Sequence, residues 1–185
     1  KQIRNDIILY VNGIPLVNIE CKNPTSLTET WYNAFTQILS YEQDVPELYK
    51  YIQIGVASDN KAKYFPTQPW QQDGEPRYYE WRTADKDSID STIQMLMPET
   101  LLNIIRNYHF IRIERGKTTK VITRYMQYRA AEQICNRVIG NIESKTDKTK
   151  GLIWHWQGSG KTLTMIFAAN KLYRHPLLQN PTIFF

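Results

Sequence analysis

At 185 residues with 42% apolar side chains, the chain can build one large domain or two small ones with packed cores. It has no apolar run near the roughly 18 residues a membrane span needs and no charged-then-apolar leader ahead of a cleavage site, so membrane-spanning and secreted classes are not expected and a cytoplasmic location is. The net charge of +5 is unevenly spread: residues 1–95 hold 9 Lys and Arg against 13 Asp and Glu, a net −4, and residues 96–185 hold 14 against 5, a net +9.

An acidic first half binds DNA poorly by itself, because affinity for the backbone comes mainly from neutralising phosphates. It needs a divalent cation or a basic neighbour. Cys21 and Cys135 form no framework of spacings, and each is expected to be a buried reduced thiol.

Residues 6–11 and 16–22 are rich in Ile, Leu, Val and Tyr, and Asn12-Gly13 between them is a strong hairpin signal. Asn23-Pro24 breaks the second strand. Ser26 and Glu29 have capping-box spacing, and Trp31, Ala34, Phe35, Ile38 and Leu39 follow at helical intervals. That helix should stop by Asp44, because Pro46 cannot continue it. Residues 51–57 and 62–65 read as two further strands.

Residues 66–92, with Pro66, Pro69, Gly74 and Pro76, read as an irregular connection with a domain boundary near its end. Pro98 suits the first position of a helix that continues through Leu101, Leu102, Ile104 and Ile105. Residues 124–138 read as a helix and 141–150 as a polar loop. The pattern then predicts a strand over 151–156, a helix over 161–173 and the start of a strand at 182–185.

Two constellations carry chemistry. Glu20 and Lys22 lie two apart on a strand and share a face, while Cys21 points the other way. Carboxylates supply hard oxygen ligands to a divalent cation, which polarises a phosphate and activates water. Whether Asp6 joins them depends on hairpin register. A two-residue loop pairs Asp6 with Ile19, on the wrong face; a three-residue loop or an equivalent bulge brings Asp6 to the face of Glu20. The chemistry predicts the loop or the bulge. Lys22 is expected to orient water or stabilise phosphate charge, since an amine is a poor base near neutral pH. Gln37 and Tyr41, four apart on the following helix, share one side at the edge of its apolar stripe.

The second constellation is Gln157-Gly158-Ser159-Gly160-Lys161-Thr162 at the start of a helix. Its glycines let the backbone curl around phosphates, Lys161 can reach the outer phosphates, and Thr162 can ligate magnesium. Upstream, Gln127 has an amide able to pair with an adenine edge.

Taken in order, the run from Asp6 to Pro24, the helix carrying Gln37 and Tyr41, Trp81-Arg82-Thr83, and the run from Trp154 to Met165 resemble type I restriction enzyme R (HsdR) subunits. The resemblance implies an α/β fold: a mixed-sheet PD-(D/E)xK nuclease core at residues 1–95, followed at 96–185 by the N-terminal part of a RecA-like P-loop motor domain of the superfamily 2 helicase type. It implies a catalytic triad of Asp6, Glu20 and Lys22, with Asp6 and Glu20 holding Mg2+. Gln37 and Tyr41 match the accessory Gln-x-x-x-Tyr motif. Gln127 matches the adenine-reading glutamine, and residues 157–162 match the ATP loop, with Thr162 as its metal ligand. His155, where a small residue is usual, is expected in this family.

The implied partners are double-stranded DNA and the methyltransferase (M) and specificity (S) subunits, through which the holoenzyme uses S-adenosylmethionine. The chain is expected to be a piece of a longer subunit that cuts DNA after ATP-driven translocation, and to lack ATPase activity alone. Two alternatives stay open: a repair helicase-nuclease without methyltransferase partners, and a non-cleaving module that only grips DNA and nucleotide.

Overall fold

The computed structural model describes residues 2–69 and 76–184. The chain divides into two compact units: residues up to Ile105 together with His109–Ile122, and Arg106–Tyr108 together with the chain from Thr123 onward. Residues 96–105 and 109–122, which the sequence reading placed in the second half, thus cluster with the first. Among the described residues no helix is long and apolar enough to cross a membrane.

The first unit is built on a mixed sheet in the order β1 (Ile7–Val11), β2 (Ile14–Cys21), β3 (Ile54–Ser58) and β4 (Ala62–Pro66). β1–β2 and β3–β4 are antiparallel, and β2–β3 is parallel. A parallel step needs a crossover; α1 (Trp31–Asp44) and α2 (Pro46–Tyr49) supply it. The expected strand at 51–57 begins only at Ile54, because residues 50 and 51 still belong to the turn leaving α2.

Helix α1 starts later than the Ser26–Glu29 spacing predicts. Ser26 Oγ does accept from Glu29 N at 3.0 Å, but that contact closes a turn. The cap is Thr30, whose hydroxyl accepts from Tyr32 N at 3.3 Å, while Asn33 Oδ1 returns to Thr30 N at 2.8 Å. From there Ala34, Phe35 and Ile38 pack against Tyr49, Ile52, Ala57 and Phe65 as the core of the unit. Phe35 and Phe65 meet edge to face at 4.7 Å.

Two features were hidden in the sequence. Helix α3 (Ser88–Leu96) occupies part of the stretch expected to be irregular; Asp87, read as a loop residue, is its cap, accepting from Asp90 N at 2.8 Å. Gly74, within the same stretch, lies outside the described residues. Helix α4 (Pro98–Asn107) begins at Pro98 as expected. After it, β5 (His109–Glu114) and β6 (Lys117–Ile122) form a hairpin closed by Arg115 and Gly116, both at positive φ. Phe-Ile-x-Ile beside Arg-Gly was the available signal.

The second unit pairs α5 (Tyr125–Ile142) with α6 (Lys161–Tyr173). Ala130, Ala131 and Cys135 on α5 are buried, as are Phe167, Ala168 and Leu172 on α6. The strands expected at 151–156 and 182–185 do not form over 151–156 and 182–184; Phe185 lies outside the described residues. A strand exists by hydrogen bonding to a neighbour, and among the described residues none pairs with either segment. Leu152 and Trp154 are accordingly almost fully exposed. Cys135 is buried as expected, but Cys21 is exposed, since α1 covers the Glu20 face of β2 and not the face on which Cys21 lies.

Candidate functional site

The β1–β2 register assembles the first site. Asn12 (φ 50°) and Gly13 (φ 79°) make a two-residue turn, so Val11 pairs with Ile14 and Tyr10 with Pro15. Next, Leu9 pairs with Val17, leaving Leu16 as an extra residue in a bulge. The bulge, and not a longer loop, shifts the pairing. It continues as Ile7 with Ile19, which brings Asp6 opposite Glu20.

Contacts bear this out. Asp6 N donates to Glu20 Oε1 at 3.2 Å, and Asp6 Oδ2 accepts from Cys21 N at 2.9 Å. Gln37 then joins the remaining groups. Its Oε1 accepts from Lys22 Nζ at 2.6 Å, and its Nε2 donates to Glu20 Oε2 at 3.1 Å and to the Tyr41 hydroxyl at 2.5 Å. The Tyr41 hydroxyl in turn donates to Arg4 O at 2.8 Å. Asp6, Glu20, Lys22, Gln37 and Tyr41 therefore form one connected polar network.

Burial pushes the Glu20 carboxyl up to about 7, and the neighbouring Asp6 carboxylate adds to the effect against the pull of the Asp6 N–H and Lys22. Two adjacent carboxylates, one of them buried and reluctant to ionise, suit a divalent cation whose charge would hold both ionised. Among the described residues no group of three or more His, Cys, Asp or Glu side chains could hold a metal. A site of two carboxylates fits magnesium, which keeps several waters and takes substrate phosphates as further ligands.

Sequence reasoning missed one part of this site. Asn18, two residues before Glu20 on the same face, is fully buried and contacts both Tyr49 and Asn5. A polar residue inside the apolar run Ile14–Cys21 was the signal, and period-two counting places it beside Glu20.

The second constellation lies at the start of α6. Gly158 (φ 78°) and Gly160 (φ 82°) occupy left-handed backbone, and Gly160 is the N-cap of the helix. Lys161 Nζ reaches back to His155 O at 2.9 Å and Trp156 O at 3.2 Å. Gln157 and Thr162 are exposed, and Ser159 is buried with its hydroxyl unpartnered. A cationic amine resting on backbone carbonyls, beside two left-handed glycines and a helix N-terminus, fits a triphosphate chain that would take the amine from those carbonyls.

Gln127 is buried beneath this loop. Its Oε1 accepts from Arg124 N at 2.9 Å, and its Nε2 donates to Ser159 O at 3.1 Å and Gly160 O at 3.4 Å. In this arrangement the amide grips the loop, and both of its ends are engaged.

The described residues thus hold a carboxylate–lysine cluster on a mixed sheet and a glycine-lysine loop opening a helix. Comparison with known proteins bears on both halves of the chain. Residues 1–74 match the family described as the type I restriction enzyme R protein N terminus, and residues 126–185 match the SWI2/SNF2 ATPase family. The chain is 37% identical over 190 residues to the type I restriction enzyme HindI endonuclease subunit of Haemophilus influenzae, covering 96% of this chain and 18% of that one. Two Methanocaldococcus jannaschii proteins named as type I restriction enzyme endonuclease subunits are similar. MjaVIIP is 39% identical over the whole of this chain and MjaVIIIP 36% over 97% of it, each with 18% of the relative covered. The chain is a relative of the type I restriction enzyme R subunits, and it spans about a fifth of the length of the curated relatives it matches.

Proposed function

We propose that this chain carries the nuclease site and the opening of the ATP-driven motor of a type I restriction subunit. Residues 1–95 would be a PD-(D/E)xK nuclease core and residues 96–185 the start of a RecA-like P-loop motor domain of the helicase type. The observation that carries the reading is the network in which Gln37 contacts both Glu20 and Lys22 while Asp6 contacts Glu20.

In this reading Asp6 and Glu20 would hold Mg2+, which when bound would supply polarisation of the scissile phosphate and a lowered pKa for an attacking water. Lys22, held at 2.6 Å by Gln37 Oε1, places its charge where the phosphate oxygens gain negative character. Gln37 keeps lysine and carboxylate at a set spacing, and Tyr41 anchors Gln37 to the backbone at Arg4. The substrate is double-stranded DNA, and the whole subunit would work in the cytoplasm with methyltransferase and specificity subunits that bring S-adenosylmethionine. Gly158–Thr162, with Gln157, would hold ATP and its magnesium through Thr162 for use in translocation, and Gln127 would support the loop from beneath through Ser159 O and Gly160 O.

The test is cleavage of closed circular DNA by the full-length subunit with its partners, with and without Mg2+ and ATP. Lys22→Ala should abolish metal-dependent cutting while leaving the far-UV spectrum and ATP hydrolysis in place. Wild-type cutting by Lys22→Ala would sink the nuclease assignment. An uncut wild-type reaction under all conditions would favour a module that only binds.

A further inference from the structure

Asp6 lies outside the strand ladder, which begins at Ile7, and it sits in a bend with an exposed side chain. The ladder ends one residue short of it, and Asp6 is held directly by its own N–H on Glu20 Oε1 and by Cys21 N on its Oδ2. Productive constellations must be kept within about 0.5 Å of their working geometry by supporting contacts. Here the residues before Asp6 are each fastened from the interior: Arg4 O by the Tyr41 hydroxyl, and Asn5 Oδ1 by Asn18 Nδ2 at 3.2 Å. Asn18 Nδ2 also donates to the Tyr49 hydroxyl at 2.6 Å, and both Asn18 and Tyr49 are buried.

This arrangement is costly. Asn18 Oδ1 has no partner, and a buried unsatisfied carbonyl carries a desolvation penalty that an apolar side chain at a central strand position would avoid. We propose that Asn18, held by Tyr49, is a positioning residue that fixes Asn5 and so sets Asp6 beside Glu20 for cation binding. The proposal rests on the nuclease reading of Asp6 and Glu20 and extends it to three residues outside the triad.

The test is calorimetric titration of the full chain with Mn2+, without DNA, so that affinity is read apart from activity. Loss of an outer contact to a metal site typically weakens affinity about 10–100-fold, and Asn5→Ala should fall in that range. Asn5→Asp, which keeps an acceptor for Asn18 Nδ2 and adds a negative charge beside the cation site, should bind at least as tightly as wild type. Asn18→Ala should match Asn5→Ala, and if it fails to fold, the half-buried Asn5 variants decide the matter alone. Asp6→Ala is the reference for complete loss. Wild-type affinity in Asn5→Ala, with affinity lost in Asp6→Ala, would overturn the positioning role and leave the nuclease reading standing. Equal weakening by Asn5→Ala and Asn5→Asp would overturn it too. Wild-type affinity in Asp6→Ala would remove both.

Discussion

Gln37 Nε2 stands 3.1 Å from Glu20 Oε2, a contact that ties the face of helix α1 to the central strand of the sheet. The other end of the same amide holds Lys22, so one side chain sets the distance between a carboxylate and an ammonium that share a strand face. Rotating the Gln37 amide by half a turn would place its oxygen against Glu20 and its NH2 against Lys22. Both contacts select a single orientation.

Replacing Gln37 should therefore cost activity more than stability. Gln37→Ala is expected to slow DNA cleavage about 10–100-fold, the usual range for a contact one step removed from a metal site. The thermal midpoint should change little, because Gln37 is only half-buried. Gln37→Glu should also slow cutting, since a third carboxylate would join Asp6 and Glu20. Single-turnover cleavage beside a thermal melt separates the two effects.

The raised Glu20 carboxyl predicts a pH dependence. Its ordinary value of 4.5 applies to the unfolded chain, and the folded value is about 7. Between these the folded state binds more protons, so stability falls as pH rises through that window, by at most about 3 kcal/mol. Glu42, pushed up to about 8 by burial, contributes in the same direction. The Glu20 part is the difference between wild type and Glu20→Gln, whose stability should fall less steeply from pH 5 to 7. Mn2+ at pH 8 should raise the melting temperature of wild type and not of Glu20→Gln.

Gly160 combines two constraints. Its φ is +82°, and a Cβ there would lie 2.3 Å from Gln127 Nε2. Gly160→Ala is expected to lose ATP binding and to destabilise the chain by more than the roughly 1 kcal/mol that a strain-free glycine-to-alanine change gains. Adding Gln127→Ala removes the clash but not the backbone strain, so it should recover only part of the stability. Exposed Trp154 and Trp156 immediately precede the loop, so fluorescence on adding nucleotide is a direct readout.

Gly55 predicts a purely structural effect. A Cβ at this position of β3 would come within 2.5 Å of two ring carbons of Phe65, which is fully buried. Overpacking of this kind costs about 1–3 kcal/mol. Gly55→Ala should lower the denaturant midpoint, and Phe65→Leu in the same chain should recover part of the loss.

Glu42 and Lys120 are both buried. Burial lowers the lysine to about 8, Glu42 opposes that shift, and Lys120 Nζ also donates to Thr67 Oγ1 at 2.9 Å. Both Glu42 carboxyl oxygens lack a hydrogen-bond partner and burial disfavours their charge, so with Lys120 gone Glu42 remains a buried unsatisfied polar group at a cost of about 1–3 kcal/mol. Glu42→Leu with Lys120→Met should therefore be more stable than Lys120→Met alone, as read by urea unfolding.

Local chemistry was legible where a few residues suffice to specify it. Asn12-Gly13 announced the turn, the Pro98 helix began where its first residue said it would, and the helix from Lys161 to Tyr173 kept its expected bounds. Ser26 misled because a hydroxyl that closes a turn and one that caps a helix offer the same acceptor, and only the following backbone distinguishes them. Residues 151–156 misled because an apolar run states a preference for pairing and cannot supply the partner.

The sequence alone determined the residue types that can meet phosphate and cation, the faces on which Glu20 and Lys22 lie, and the glycines that free the loop before Lys161, since periodicity and turn chemistry act over a few neighbours. Tertiary structure decided that a bulge at Leu16 carries Asp6 to Glu20, that Gln37 contacts Lys22, and that Asn18 reaches Asn5. Each of these depends on distant segments closing on one another, and a strand shifted by a single residue would turn every one of those side chains to the opposite face.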